Sequence, residues 1–293
     1  MGDLPLPVNL VESTHRYPDR GRREWLSQLP ETVRALADRW SLRLGAPYQP
    51  GGECSWVAPV RDGPGRDLVL KVGWRHYESD DEAAGLRVWG GRGAVRLYDT
   101  HRTDTTSALL LERCRPGTTL ATAAPEPEQD VVVAALLRRL WSAPADGYPF
   151  RPLQQMCDAW ADEFEAKLAA APDAFDPGLA HAGMALFRGL PATADRQAVL
   201  CTDLHAGNIL AATREPWLVI DPKPYVGDPT YDVLQHFYNC QERLVADPAG
   251  LIRRMADLAG LDVDRLTAWT FARCVQEGID QPALREVAHA LQP

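Results

Sequence analysis

Residues 200–224, LCTDLHAGNILAATREPWLVIDPKP, place carboxylates between strongly apolar flanks. Asp203 and Asp221 each adjoin apolar residues whose pattern predicts short, half-buried strands. A buried carboxylate is costly unless it is neutralised or paired with a cation. The segment therefore predicts that a positive charge is held close to these two side chains.

The spacing of three oxygen-bearing side chains indicates which cation this is. Asp203 and Asn208 stand in one loop, where Gly207 permits a tight turn. Two strands joined by a turn at TREP would bring Asp221 back beside that loop. Carboxylate and amide oxygens are ligands that Mg²⁺ prefers, usually together with substrate phosphates. The spacing predicts a magnesium site at Asn208 and Asp221, with Asp203 as the base of a phosphoryl transfer.

A second pair of charged residues occurs in the N-terminal part. LVLKV places Lys71 in a strand, and Glu82 follows early in a predicted helix. Protein kinases use such a strand lysine and helix glutamate at the nucleotide phosphates. The chain has 31 basic residues, of which only Lys71, Lys167 and Lys223 are lysines. In so arginine-rich a chain, a retained lysine indicates a need for a compact ammonium group.

Hydrophobic patterning predicts an N-terminal lobe that is rich in sheet. Residues 22–41 have helical spacing, and Pro30 is expected to open a second helical segment. Two hairpins follow, with predicted strands at 55–60, 67–72 and 107–111. Between the hairpins, the sequence predicts a helix that Ser79 caps and Gly90 ends.

The pattern changes after the second hairpin and becomes mainly helical. Helical periodicity covers 128–142, 152–171, 175–190 and most of the chain after residue 228. The predicted fold is α+β with two lobes. Residues 1–113 form a small antiparallel-sheet lobe, and residues 114–293 form a larger helical lobe with a short β insertion.

Composition excludes several classes of function. A net charge of -9 gives no general electrostatic footprint for nucleic acid. The six cysteines show no CxxC spacing, so no zinc site is expected. No signal peptide is apparent, and no apolar stretch reaches the roughly 18 residues that a membrane span needs. We expect a cytoplasmic protein with reduced thiols and no membrane partner.

The motifs together resemble the aminoglycoside/hydroxyurea antibiotic resistance kinases, a family of protein-kinase-like phosphotransferases. DLHAGN stands where this family has a catalytic loop of the type H-G-D-L-H-x-G-N. VIDPKPYVGDPTYD stands at its metal-binding aspartate and the following G-D-P segment, and ALLLERCRPG at its hinge strand. The resemblance covers almost the whole chain and implies a two-lobed protein-kinase-like fold.

The resemblance also implies the roles of single residues. It makes Asp203 the catalytic base, Asn208 and Asp221 the Mg²⁺ ligands, and Lys71 the contact to the ATP phosphates, paired with Glu82. Backbone groups near Glu112 to Cys114 would bind adenine. Asp232 resembles the helix carboxylate that braces the catalytic loop.

The sequence departs from the family pattern at three places. Cys201-Thr202 replaces the common His-Gly before the catalytic aspartate. Lys223 stands where many antibiotic kinases carry a second acid, either to contact phosphate or to offset local negative charge. No G-x-G-x-x-G is present, so PGGECS at 50–55 would have to cover the phosphates.

The implied function is transfer of the γ-phosphate of ATP to a hydroxyl of a small antibiotic, either a streptomycin-like aminoglycoside or hydroxyurea. Asp158, Asp162 and Glu165 fall on one helix face, which would suit a cationic aminoglycoside or could simply be solvated. Hydroxyurea needs no such face. A nucleotide-binding pseudokinase and a metal-dependent hydrolase are the alternatives, and the sequence leaves the oligomeric state open.

Overall fold

A computed structural model describes residues 4–17, 19–144 and 149–292. The contacts between Cα atoms divide the chain into two units, Met1–Gly117 and Thr118–Pro293. The first unit is built on one antiparallel sheet, and the second is mainly helical. None of the helices in the described ranges combines the length and the apolar character that crossing a bilayer requires.

The sheet of the first unit has five antiparallel strands in the order β1-β2-β3-β5-β4. The strands are β1 Arg43–Leu44, β2 Ser55–Arg61, β3 Asp67–Trp74, β4 Leu97–Arg102 and β5 Thr106–Glu112. Both predicted hairpins are confirmed, since β2 pairs with β3 and β4 pairs with β5. Gly65 lies in the turn between β2 and β3 with a φ of 88°, a conformation that favours glycine.

One face of this sheet is covered by the N-terminal helices α1 (Val8–Arg16) and α2 (Arg20–Arg39). Trp25 and Leu29 of α2 belong to the same buried cluster as the even-numbered residues of β2 and β3. Side chains alternate between the two faces along a strand. The odd-numbered Lys71 of β3 is therefore on the face opposite this core.

The prediction that Pro30 opens a second helical segment is wrong. Helix α2 is continuous and contains Pro30. A proline inside a helix removes one backbone hydrogen bond and costs about 3 kcal/mol. Leu29 and Val33, on either side of it, are fully buried, and their packing offsets that cost.

The prediction that Ser79 caps the next helix is also wrong. Helix α3 spans Glu82–Trp89 and has Asp81 at its N-cap position. Ser79 ends a short 3-10 turn, and its hydroxyl donates to the carbonyl of His76. The Ser79 hydroxyl therefore bonds within the turn that precedes α3 and does not cap that helix. The predicted stop is confirmed, because Gly90 follows the helix in a left-handed conformation.

The second unit contains helices and four short strands. The helices are α4 Leu120–Ala123, α5 Glu126–Leu140, α6 Leu153–Ala170, α7 Pro177–Gly189, α8 Leu234–Asn239, α9 Gln241–Ala246, α10 Pro248–Ala259, α11 Val263–Glu277 and α12 Pro282–Leu291. Helix α11 is largely buried and packs closely on α7. Gly183 makes this possible, since a Cβ at that position would lie 2.5 Å from the Cβ of Val275.

Four short strands form two antiparallel pairs that carry the motif segment. Strand β6 (Ala198–Leu200) pairs with β9 (Tyr225–Gly227), and β7 (Ile209–Ala211) pairs with β8 (Trp217–Val219). The catalytic-loop sequence therefore joins β6 to β7, and Asp221 lies between β8 and β9. The predicted return of the chain at TREP is confirmed.

Candidate active site

The first unit holds the predicted pair of Lys71 and Glu82. Lys71 Nζ lies 2.8 Å from Oε1 and 2.7 Å from Oε2 of Glu82. The Lys71 side chain is 13% exposed and the Glu82 side chain 5%. Breaking so buried a pair would leave an uncompensated charge, so each side chain holds the other in place. The pair therefore holds the lysine ammonium at a fixed position on the sheet face opposite α1 and α2.

The second unit holds the loop between β6 and β7, which is organised by its own hydrogen bonds. The backbone N–H of Gly207 donates to Nδ1 of His205, and the N–H of Asn208 donates to the His205 carbonyl. The side-chain amide of Asn208 donates through Nδ2 to the carbonyl of Asp203, at 3.0 Å. Because the amide nitrogen is used in this bond, the amide oxygen of Asn208 is the atom that would bind a metal ion.

Asp221 is brought to the same loop by strand pairing. The N–H of Ile220 donates to the carbonyl of Asn208 at 2.9 Å, so Asp221 directly follows a residue that is bonded to the loop. Asp221 itself has a φ of 52°, which is rare for a residue other than glycine. Such conformations cluster at functional sites, where the surrounding structure enforces them.

The donor set fits magnesium better than a transition metal. In the described part of the chain, no three His, Cys, Asp or Glu side chains converge into a ready-made metal cage. Mg²⁺ does not need one, because it binds one or two protein oxygens and takes water and phosphate oxygens for the rest. The carboxylate of Asp221 and the amide oxygen of Asn208 would supply such a partial shell.

Asp232 holds the start of the loop between β6 and β7 through hydrogen bonds. Its Oδ2 accepts from the backbone N–H of Cys201 at 3.0 Å, and its Oδ1 accepts from that of Thr202 at 2.6 Å. Trp141 Nε1 donates to Oδ2 at 2.9 Å. Burial raises the pKa of Asp232 to about 6, although these three donors act in the opposite direction.

This brace explains why the departure at Cys201-Thr202 is tolerated. Asp232 binds the two residues through their backbone N–H groups, which any residue other than proline supplies. The Cys201 side chain is fully buried, and burial raises the pKa of its thiol well above the ordinary value. Cys201 therefore acts as a small apolar residue. No sequence pattern indicates that Trp141 contributes a donor.

The buried Asp232 has a predicted effect on stability that depends on pH. Its folded pKa of about 6 lies above the ordinary 3.8, so the folded state binds the proton more tightly than the unfolded state does. The stabilisation from this group is complete below pH 4 and is lost as the pH rises through 6. Asp232→Ala lowers the free energy of unfolding relative to the wild type, and this destabilisation should be about 1 kcal/mol smaller at pH 7.5 than at pH 5.

Urea unfolding of the wild type and of Asp232→Ala at both pH values measures this difference. Asp195→Ala serves as the control, because it removes an exposed carboxylate from the same unit. A loss in Asp232→Ala that is equal at both pH values, or larger at pH 7.5, would contradict the prediction.

Known proteins match this chain over most of its length. The family model for aminoglycoside/hydroxyurea antibiotic resistance kinases matches residues 39–282. The chain belongs to this family. A streptomycin 6-kinase from Streptomyces griseus is 38% identical over 93% of this chain and 89% of its own length. A hydroxyurea phosphotransferase from Kitasatospora aureofaciens is 35% identical over 97% of this chain and 82% of its own length.

The fold is shared with solved kinase structures. A macrolide 2′-phosphotransferase from Brachybacterium faecium aligns with a TM-score of 0.55 and 20% identity, over 90% of this chain and 97% of that one. At this level of identity the likeness concerns the fold alone. Together with the family match, it confirms the predicted α+β, protein-kinase-like fold class.

The segment predicted to bind adenine lies at the end of β5, the strand that the resemblance makes the hinge. The backbone N–H of Glu112 donates to the carbonyl of Arg96, and Glu112 Oε2 accepts from the N–H of Arg96. An adenine contact at Glu112 would therefore have to use its carbonyl. Cys114 is buried two residues later. The adenine contacts of Glu112 and Cys114 stay predictions.

The loop that the sequence offers as the phosphate cover connects β1 to β2. The carbonyl of Glu53 accepts from Ser13 Oγ and from the guanidinium of Arg22. The carbonyl of Gly51 accepts from Asn9 Nδ2 at 2.8 Å. These bonds fasten the loop to helices α1 and α2, a connection that the sequence pattern did not indicate. Its role at phosphate stays a prediction.

The acidic face of α6 is compensated by a residue that the sequence analysis did not consider. The guanidinium of Arg188 lies 2.7 Å from Asp162, 3.1 Å from Glu165 and 3.7 Å from Asp158. Arg188 lies in the last turn of the neighbouring helix α7, close in space but distant in sequence. One guanidinium offsets part of the negative charge of these three acids. Their role as an aminoglycoside contact stays a prediction.

Proposed function

We propose that this chain is an ATP- and Mg²⁺-dependent phosphotransferase that moves the γ-phosphate to a hydroxyl of a small antibiotic. The observation that carries the proposal is the bonded arrangement of Asp203, Asn208 and Asp221 in one pair of loops. The ion pair of Lys71 with Glu82 supports it. The named relatives act on streptomycin and on hydroxyurea, and we propose one of these two classes as the acceptor.

Each residue has one role in this proposal. Mg²⁺ and ATP, when bound, supply the phosphoryl group and neutralise its charge. Asn208 and Asp221 hold the metal through oxygen, and Lys71, positioned by Glu82, contacts the nucleotide phosphates. Asp203 orients the acceptor hydroxyl and takes its proton. Glu112 and Cys114 contact adenine through the backbone.

The two lobes have separate roles in the proposed transfer. Residues 1–113 supply nucleotide contacts, and residues 114–293 supply the catalytic loop, the metal ligands and the acceptor contacts. A cytoplasmic location agrees with the six cysteines, which form no disulfide among the described residues.

Two alternatives account for less of the structure. A pseudokinase that only binds nucleotide has no need for Asp203, yet this carboxylate is present and 15% exposed in an organised loop. A metal-dependent hydrolase would use the same acids but leaves the buried pair of Lys71 and Glu82 without a purpose. Transfer from ATP gives a role to each of the five residues Lys71, Glu82, Asp203, Asn208 and Asp221.

Replacement of Asp221 tests the metal assignment. Asp221→Ala should weaken Mg²⁺-dependent ATP binding at least about tenfold, because loss of a direct ligand should cost no less than loss of an outer-sphere partner. Titration calorimetry with ATP, with and without Mg²⁺, measures this. The variant and the wild type should bind equally when EDTA is present. Undiminished metal-dependent binding would move the metal site elsewhere.

The identity of the acceptor is tested by product analysis. The protein is incubated with ATP, Mg²⁺ and either streptomycin or hydroxyurea, and the acceptor is analysed by mass spectrometry. The proposal expects one of them to gain a single phosphoryl group. If both stay unmodified, the proposed acceptor classes are wrong, and metal-dependent activity in the absence of ATP would favour the hydrolase.

A further inference from the structure

Lys223 is fixed to the catalytic loop through its backbone. Its N–H donates to the carbonyl of Cys201 at 2.9 Å, and its carbonyl accepts from the hydroxyl of Thr202. Thr202 has a φ of 51°, an unusual conformation for a β-branched residue. The bonds on both sides of Lys223 therefore hold it against the two residues that precede Asp203.

The side chain of Lys223 reaches the carboxylate of Asp203. Its Nζ lies 2.9 Å from Oδ2 of Asp203, and Nδ2 of Asn208 lies 3.5 Å from the same oxygen. Both of these contacts are to Oδ2 and not to Oδ1. The Asp203 side chain is 15% exposed, so it is not sealed from an incoming molecule. The two oxygens of this carboxylate thus have different surroundings.

We propose that Lys223 is a positioning residue that engages Oδ2 of Asp203, so that Oδ1 takes the proton of the acceptor hydroxyl. This inference rests on the proposed phosphotransferase function. In the transfer step, the acceptor O–H bond breaks, its proton goes to Oδ1, and its oxygen bonds to the γ-phosphorus. The bond from that phosphorus to the β,γ-bridging oxygen breaks, and its electron pair leaves with ADP.

The choice of lysine at this position follows from the geometry. Asp203 needs a compact ammonium that contacts one oxygen, whereas the planar guanidinium of arginine favours contact with both oxygens of a carboxylate. Arginine at residue 223 would compete for Oδ1. This explains why a chain with 31 basic residues keeps one of its few lysines here.

The test uses Lys223→Met and Lys223→Arg in the full chain, with Lys167→Met as the control. Lys167 also pairs with two acids, Glu163 and Asp280, but on the exposed surface of the helical unit. We measure kcat, KM for the acceptor, the Kd of Mg²⁺-ATP and Tm. Lys223→Met should lower kcat about 100-fold, the scale of effect seen when a reacting group is misplaced. Its Kd and Tm should stay close to those of the wild type, and Lys167→Met should leave kcat unchanged.

A double variant separates positioning from a direct contact with phosphate. If Lys223 acts through the carboxylate of Asp203, Lys223→Met should change the residual single-turnover rate of Asp203→Asn less than twofold. If Lys223→Met lowers the rate of Asp203→Asn by as much as it lowers the rate of the wild type, the inference is overturned and Lys223 contacts the phosphoryl group. The kcat of Lys223→Arg should be lower than that of the wild type, because the arginine guanidinium competes for Oδ1.

The outcomes distinguish this inference from the function on which it rests. Wild-type turnover with an unchanged kcat in Lys223→Met overturns the inference alone. A Kd for Mg²⁺-ATP that rises as much as kcat falls would make Lys223 a nucleotide ligand and would also overturn it. If the wild type phosphorylates no acceptor, the proposed function and this inference fail together.

Discussion

Asp203→Ala should reduce the rate of phosphoryl transfer about 1,000-fold, within the range that a positioned general base contributes. The variant should bind Mg²⁺-ATP with nearly the affinity of the wild type. The reason is geometric, since Asp203 is engaged by Lys223 and Asn208 and is not one of the proposed metal ligands. Steady-state rates and ATP titrations on the same preparations measure both quantities.

The control for this variant is Asp173→Ala, which removes an exposed carboxylate from the same unit. It should leave both the rate and the affinity unchanged. A turnover in Asp203→Ala within a fewfold of the wild type would remove Asp203 from the role of base. A large loss of ATP affinity would show instead that Asp203 helps to hold the nucleotide.

Asp130→Ala should lower the free energy of unfolding by about 3–5 kcal/mol, more than any other substitution named above. Asp130 is fully buried on α5 and joins three other helices. His236 of α8 and Arg243 of α9 contact it at 2.8 Å, and Arg254 of α10 contacts it at 2.7 Å. Its removal deprives all three partners of their shared acceptor.

The charge state of Asp130 agrees with this role. Burial alone would raise its pKa, but the hydrogen bonds from His236, Arg243 and Arg254 lower the pKa well below the ordinary value. The stabilisation is therefore complete above the unfolded pKa, near pH 4, and is lost as the pH falls below it. The destabilisation of Asp130→Ala should accordingly be largest at neutral pH.

Thermal unfolding at pH 7 measures this effect, and a fall in Tm of about 10 °C is expected for a chain of this size. Asp257→Ala is the matched control, because Asp257 is exposed on α10 and outside the cluster. It should change Tm little. A small effect of Asp130→Ala would mean that the two arginines find solvent when their partner is lost.

The parts of the fold that the sequence predicted correctly depend on local patterns. Alternation over 55–60 and 67–72 set the register that puts Lys71 on the sheet face opposite the core with α1 and α2. The turn after β7 is likewise short, so the return of Asp221 to Asn208 could be expected from spacing alone. In each case the deciding interactions lie within a few residues along the chain.

The parts that could not be predicted depend on residues far apart in sequence. Trp141 and Asp232 are separated by 91 residues, and Asp130 and His236 by 106. Nothing in the spacing of α6 indicates that Arg188 lies against its acidic face. Pairing of distant charges follows from how helices pack, and single-sequence periodicity gives only the face of each helix.

Transfer of phosphate from ATP to a small antibiotic is tested most directly by the release of ADP. Release is measured with Mg²⁺ and with streptomycin, other aminoglycosides or hydroxyurea added separately, and Asp203→Ala is measured alongside. We expect at least one of these acceptors to stimulate release in the wild type and none to do so in the variant. Tight binding of Mg²⁺-ATP with no stimulation by any of them would contradict this expectation and favour a nucleotide-binding pseudokinase.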